Sequence, residues 1–172
     1  MVKLIGACLI LFAGTMIGFY QALQLARRPR QIRQLIQALQ RLETEISYGF
    51  TPLPRALLTI SRQVPQPLSQ LFHIVGEQLT ASREHTTEES WRFAVESCWQ
   101  HTAMKATEEE AFLQLGSTLG ITDRDDQIKH LRLTANQLQT EELTAWEEQK
   151  RYEKMWKSLG LLSATLVVIL MY

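Results

Sequence analysis

The stretch IRQLIQALQRLETEI, residues 32–46, decides the fold class of this chain. Its apolar side chains recur at intervals of three and four positions, which places them on one face of an α-helix. These apolar residues are Ile32, Leu35, Ile36, Leu39, Leu42 and Ile46. The pattern predicts an amphipathic helix over roughly 30–48 that must pack its apolar face against other helices.

Turn residues divide the chain beyond this helix into further helices. Gly49 is predicted to end the first helix, and Thr51 to cap a second helix that has Pro52 at its first position. Pro65 ends that second helix, and a new apolar stripe over 68–79 predicts the third.

Two capping boxes are predicted to open the next two helices. Thr86 with Glu89, and Thr107 with Glu110, have the spacing at which two side chains satisfy each other's backbone N–H groups. The sequence therefore predicts a fourth helix after Thr86 and a fifth after Thr107.

A last helix of about 35 residues is predicted after Asp123, because no glycine or proline interrupts the chain before Gly160. Its apolar residues at every seventh position predict a seam that packs within the bundle, with a coiled-coil partner as the alternative. The residues of this seam are Leu131, Leu138, Ala145, Tyr152 and Leu159. Six helices without a strand pattern predict an all-α fold, a six-helix up-and-down antiparallel bundle.

Each end of the chain carries an uncharged apolar segment. Residues 4–23 have the length of about 20 residues that crosses a bilayer, and 158–172 form a shorter segment. We predict transmembrane helices over 1–26 and 158–172, with the bundle at 27–157 between them. A cleaved signal peptide is the alternative for the first segment, and a buried helix or strand of a soluble domain is the alternative for the second.

Basic residues flank both apolar segments on the bundle side, which predicts a cytoplasmic bundle in an integral membrane protein. They are Arg27, Arg28, Arg30, Arg33, Lys150, Arg151, Lys154 and Lys157. Small residues four positions apart in the segments predict close packing of membrane helices, within one chain or in a homo-oligomer. These small residues are Gly14 with Gly18 and Gly160 with Ala164.

Motifs of enzymes are missing from the sequence, which has no phosphate-binding glycine loop and no nucleophile elbow. Cys98 and His101 lie one helical turn apart and could form half of a metal site with His85 or His130. We interpret them instead as a packed thiol beside an exposed imidazole. The sequence predicts no catalytic residue, no metal and no cofactor.

The chain has 172 residues, of which 18 are basic and 18 acidic, and this balance argues against binding to nucleic acid. A membrane-anchored helix-turn-helix regulator around 119–122 is disfavoured by the acidic residues that follow. Basic residues outnumber acidic ones seven to two over 27–62, whereas acidic ones prevail fourteen to five over 84–148. The acidic part could receive a basic partner, or simply be a solvated surface.

Three stretches resemble the stage III sporulation protein AB family: LETEISYGFTPLP at 42–54, the leucine–glycine pairs within 115–120, and DRDDQIKHL at 123–131. The resemblance covers nearly the whole chain. It implies a cytoplasmic six-helix bundle similar to the F domain of type II secretion and type IV pilus platform proteins.

The same resemblance implies a component of the channel complex between mother cell and forespore, located in the outer forespore membrane. Its expected partners are other sporulation channel proteins and, by analogy with platform proteins, a cytoplasmic motor ATPase. A platform subunit of a general type II secretion or type IV pilus-like system is the competing function. Those subunits usually contain two F domains, and this sequence shows no internal repeat.

The matching stretches also predict a partner-binding surface. Its alternative is a structural role, because the same residues suit the first turn between helices and the start of a helix. The predicted residues are Glu43, Glu45, Tyr48, Pro52, Leu53, Asp123, Asp125 and Asp126.

Overall fold

A computed structural model gives the architecture of most of the chain. It describes residue 16 and the ranges 26–81, 86–119 and 123–171. Within these ranges all regular structure is helical, so the prediction of an all-α bundle is confirmed. The chain divides into two compact units, one of residues 28–143 and one that combines 1–27 with 144–172.

Six α-helices follow one another along the described chain, and a single-turn 3-10 helix, Trp99–His101, continues the fourth. They are α1 (Arg27–Ser47), α2 (Leu53–Ser61), α3 (Leu68–Ala81), α4 (Thr87–Cys98), α5 (Ala106–Leu119) and α6 (Arg124–Met171). Among these helices, α2 packs against α3, α3 against α4, and α4 against α5.

Two ion pairs show that α1 and α6 run antiparallel. Arg33 near the start of α1 lies 2.7 Å from Glu142, whereas Glu43 near its end lies 2.7 Å from Arg132. Because the order of partners is reversed between the two helices, their directions are opposite. The apolar stripe of α1 is buried as predicted, with every one of its six residues at most 5% exposed.

Aromatic rings form the centre of the core between α3, α4 and α5. The ring of Phe112 lies 4.7 Å from that of Trp91, 6.0 Å from that of Phe72 and 6.1 Å from that of Trp99. The Trp91 indole also donates a hydrogen bond of 2.9 Å to the Phe112 carbonyl. The one polar atom of the Trp91 side chain, the largest fully buried side chain, is thereby satisfied, and this bond compensates for the lost contact with water.

The predicted helix starts are confirmed for α4 and corrected for α2 and α5. In the box that opens α4, Glu89 N–H donates to Thr86 Oγ1 and Thr86 N–H donates to Glu89 Oε2. Pro52, not Thr51, is the N-cap of α2. The predicted Thr107 box is wrong, because α5 already begins at Ala106 and Thr107 lies inside its first turn.

The start of α5 is set by a carboxylate that the predicted box did not include. Glu108 accepts the backbone N–H of Lys105 at 2.8 Å, which caps the helix from inside its first turn. Its side chain is buried there because its other oxygen meets an arginine of α1.

The last helix is longer than predicted, at 48 residues, because it continues through Gly160. One glycine weakens a helix by only about 1 kcal/mol and need not end it. The heptad seam is buried at Leu131, Leu138 and Ala145, but its next member, Tyr152, is 42% exposed. The seam prediction is therefore confirmed over 131–145 and wrong at Tyr152.

A buried ion-pair cluster joins the first turn of α1 to α5 and α6. Arg28 is 8% exposed, and its guanidinium donates to Glu108 Oε1 at 2.6 and 3.0 Å. Glu141 of α6 adds a second carboxylate at 3.6 Å. One turn further along α1, Gln31 accepts the Ala103 N–H at 2.6 Å. These contacts hold the start of α1 in a fixed register with α5 and α6.

The structure shows which of the four arginines after the first apolar segment are exposed. Arg28 is buried in its ion pair with Glu108, whereas Arg33 pairs with Glu142 of α6 at the surface and keeps an exposed side chain. Arg27 and Arg30 are exposed. Three of the four arginines are thus exposed, and Arg28 alone of the four is buried.

The membrane helices predicted over 1–26 and 158–172 have different outcomes. Apart from residues 16 and 26, the first lies outside the described residues, as do Gly14 and Gly18. Among helices in the part that the structure describes, none has the length and apolarity needed to cross a membrane. The second span is thus not confirmed. Residues 158–171, Gly160 and Ala164 included, belong to α6, and residue 172 lies outside the described residues.

Substitution of Gly116 by alanine tests the packing of the aromatic core. A Cβ atom at this position would overlap the ring and Cβ of Trp91, which is fully buried and has no room to move. We expect Gly116→Ala to lower the free energy of unfolding by about 2 kcal/mol. Denaturant unfolding followed by tryptophan fluorescence measures it. Gln114→Ala on the exposed side of α5 is the control, and equal stability of the two variants would contradict this packing.

Substitution of Glu108 tests the buried cluster. Glu108→Gln removes the carboxylate that lies 2.6 Å from the buried Arg28 guanidinium, and Glu141 lies further away at 3.6 Å, so the free energy of unfolding should fall by about 3 kcal/mol. Glu88→Gln, which removes an exposed pair with Arg92 within α4, should cost less than about 1 kcal/mol. Equal losses in the same unfolding assay would show that burial gives the Glu108 pair no special role.

Candidate functional site

The C-terminal end of α1 and the start of α6 meet at one arginine. The Arg124 side chain donates to the carbonyl of Ile46 at 2.8 Å and also to the carbonyl of Ser47. The last carbonyls of a helix have no partner within it, and they form the negative end of its dipole. Arg124 therefore caps α1 with a cation while it fixes α6 beside it.

The same arginine covers one aromatic residue of the loop between α1 and α2. Its guanidinium carbon lies 4.0 Å from the centre of the Phe50 ring, which is a cation–π contact. Phe50 has a φ of 50°, a left-handed conformation that is unfavourable for a bulky residue. We expect the contact with Arg124 to offset part of that cost.

Gly49 has a role that differs from the predicted one. The end of a helix commonly uses glycine for its left-handed conformation, but here Phe50 adopts it and Gly49 does not. A Cβ atom on Gly49 would lie only 2.8 Å from the Glu45 carbonyl and 2.9 Å from Thr51 Oγ1. Glycine is needed at position 49 because the backbone and Thr51 approach so closely.

Two hydrogen bonds close this loop on itself. The Thr51 N–H donates to the Glu45 carbonyl at 3.2 Å, and the Thr51 hydroxyl donates to the Glu45 carboxylate at 3.0 Å. The loop is therefore held at both ends, by Glu45 and by Arg124. On this fixed loop the side chains of Tyr48 and Phe50 are 84% and 77% exposed.

The structure brings most of the predicted partner-binding residues to this one end of the bundle. Pro52 is exposed and Leu53 half-buried at the start of α2, next to the loop. Asp123, Asp125 and Asp126 are exposed at the start of α6, on either side of Arg124.

Three of the predicted acidic residues have structural contacts as well. Asp123 accepts the Asp126 N–H at 3.2 Å as the cap of α6, Glu45 holds the loop, and Glu43 pairs with Arg132. Glu43 lies further along α1 than the loop. That this end of the bundle binds a partner stays a prediction.

Sequence reasoning missed Phe50 and Arg124, which complete this site. Both lie inside the stretches that carried the family resemblance, but their contact joins positions 74 residues apart and leaves no local signal. The interruption of an acidic run by a single arginine, at DRDD, is the one feature that could have drawn attention to Arg124.

The residues considered for metal binding do not come together. Cys98 is buried, which raises the pKa of its thiol, whereas His101 is exposed in the 3-10 helix. His130 lies on α6, and His85 lies outside the described residues. In the ranges that the structure describes, no three His, Cys, Asp or Glu residues are grouped as a metal site would require.

Fold and site together define an all-α bundle with a fixed aromatic loop at one end. The family model of stage III sporulation protein AB matches residues 3–172. Stage III sporulation protein AB of Bacillus subtilis (strain 168) is 42% identical over 171 residues, which are 99% of each chain. A solved structure of a stage III sporulation protein AB has 41% identity and a TM-score of 0.68, and the match covers 73% of this chain and 98% of that one.

The chain belongs to the stage III sporulation protein AB family. The resemblance seen in the sequence is thereby confirmed, and family membership supports a role in sporulation. The relatives are named as sporulation proteins and not as enzymes.

Replacement of Arg124 by lysine tests how the loop is held. Lysine keeps the charge but lacks the planar fork that donates to two carbonyls and stacks on Phe50, so the loop should open more often. We expect hydrogen exchange of the Thr51 amide to become about tenfold faster in Arg124→Lys.

The matched control is Arg132→Lys, because Arg132 pairs with Glu43 on the same two helices but does not contact the loop. Hydrogen exchange read by mass spectrometry on peptides covering 46–53 makes the comparison. Unchanged protection of Thr51 in Arg124→Lys would mean that the Glu45 contacts alone fix the loop.

Proposed function

We propose that this chain is a non-enzymatic membrane platform component of the sporulation channel complex between mother cell and forespore. The proposal is carried by the family match, which spans residues 3–172, together with 42% identity to a stage III sporulation protein of a spore-forming bacterium. The implied partners are other proteins of the channel. A match over the whole length supports a shared role better than a match to one part of the chain would.

In this proposal the bulk of the chain lies on the cytoplasmic, mother-cell side of the outer forespore membrane. Attachment rests on residues 4–23, an uncharged apolar segment of the length that crosses a bilayer. The outward charges of Arg27 and Arg30 follow that segment directly, and Lys150, Arg151 and Lys154 are exposed as well. Basic residues of this kind favour retention on the cytoplasmic side and contact with anionic headgroups.

The bundle couples a cytoplasmic motor ATPase to the membrane assembly in this proposal. A coupling element must move as one body, and the aromatic core with its buried ion-pair cluster gives residues 28–143 many contacts that resist deformation. The site offers exposed rings and carboxylates, which are groups that bind proteins.

Deletion of the gene in its host tests the role in sporulation. We expect heat-resistant spores to be lost after engulfment while vegetative growth stays normal, and an ectopic copy of the gene should restore them. Normal spore counts together with reduced protein secretion or piliation would instead indicate a subunit of a general type II secretion or type IV pilus-like system.

Coupling to an ATPase needs a separate measurement. The full chain with an affinity tag, purified from sporulating cells in mild detergent at low salt, should carry the motor ATPase of the channel with it. A chain that purifies with other channel proteins but without an ATPase would refute the motor-coupled role and leave the platform role intact.

A further inference from the structure

The loop between α1 and α2 exposes aromatic surface that the bundle does not need for its own stability. Tyr48 and Phe50 are 84% and 77% exposed, whereas Phe72, Trp91 and Phe112 are fully buried. Water contact on two aromatic rings is unfavourable, and polar residues at these positions would remove that cost. Aromatic side chains presented to solvent in this way are typical of the anchors of protein interfaces.

The loop holds these two rings in place before any partner arrives. Arg124 covers one side of the Phe50 ring and binds the end of α1, and Thr51 closes the loop on Glu45. A fixed anchor loses little conformational entropy on binding, so more of the contact energy is available for affinity.

The charge around the rings selects the chemistry of the partner. Residues 45–55 and 123–126 carry four acidic side chains against two basic ones, Arg55 and Arg124. The guanidinium of Arg124 keeps its positive charge but is half-buried against carbonyls and a ring, and acidic side chains still outnumber basic ones. Asp123 and Asp125, on either side of it, are exposed. The surface is therefore complementary to a cationic segment.

We infer that Tyr48, Phe50, Asp123 and Asp125 form a docking surface for a lysine- and arginine-rich segment of a partner protein. A basic side chain of that segment stacks on the exposed Tyr48 ring as a cation–π contact, and its neighbours pair with the aspartates. This inference rests on the proposed function, because it names the chemistry of the partner that would bind at the predicted site.

A photoreactive residue at position 48 identifies what lies on this surface. The full chain with p-benzoylphenylalanine in place of Tyr48 is produced in sporulating cells and irradiated, and the cross-linked peptide is sequenced by mass spectrometry. We expect an adduct with a partner segment in which lysine and arginine clearly outnumber acidic residues. The control carries the same probe at Phe93, an aromatic residue 53% exposed on α4, and should not trap that segment.

Charge reversal tests the electrostatic part. Asp125→Lys in the chain that carries the probe should lower the yield of the adduct at least about tenfold, because a repulsive contact replaces an attractive one. Glu96→Lys, at an exposed position on α4, is the matched control and should leave the yield unchanged. Asp125 lies in the first turn of α6, where lysine opposes the helix dipole, so the melting temperature of Asp125→Lys should fall by only a few degrees, and that of Glu96→Lys should stay close to the parent value.

Several results would overturn the inference. It is wrong if the adduct contains a neutral or acidic segment, a second copy of this chain, or lipid, and also if no adduct forms. It is equally wrong if Asp125→Lys and its control give the same adduct yield. The deletion experiment separates this outcome from failure of the proposed function. Lost spores without an adduct at position 48 refute the surface alone, whereas a basic adduct with normal spore counts refutes the function alone.

Discussion

The bundle depends on the pairing of Arg28 with Glu108. Burial of one ion without the other would cost several kcal/mol, so the first turn of α1 can occupy only the position where the guanidinium meets the carboxylate. Glu108 also caps α5 through the Lys105 N–H, and Glu141 of α6 approaches the same guanidinium. A single charged cluster thus contributes to the register of three helices, because a shift of α1 would separate the buried guanidinium from its carboxylates.

A second arginine performs a related task at the other end of α1. Arg124 satisfies the terminal carbonyls of α1, so both ends of this helix are tied to α6 or α5 by guanidinium groups. The two ends nevertheless differ in exposure. At the Arg28 end the charges are buried and serve the fold, whereas at the Arg124 end the same residue also supports an exposed loop.

The sequence predicted features that local chemistry determines and missed those that distant contacts determine. The buried stripe of α1 and the Thr86 capping box were both predicted, because each depends on residues within one or two turns. The Thr107 box failed although its local pattern was equally good. Glu108 instead accepts the Lys105 N–H while it pairs with Arg28, 80 positions away, and α5 begins at Ala106. The candidate site shows the same division. The sequence predicted its acidic residues and Tyr48, Pro52 and Leu53, but it missed Phe50 and Arg124, whose contact joins distant positions.

The left-handed backbone at Phe50 bears on how the loop is used. Asparagine or glycine would adopt this conformation more readily, and neither would expose a ring to water. Stability alone would therefore disfavour phenylalanine there, and also tyrosine at the exposed position 48. The chain nevertheless places both rings on the one loop that Arg124 and Thr51 hold rigid. The loop thus combines local strain with exposed aromatic area, and contact of these rings with a partner, as proposed above, would offset both costs.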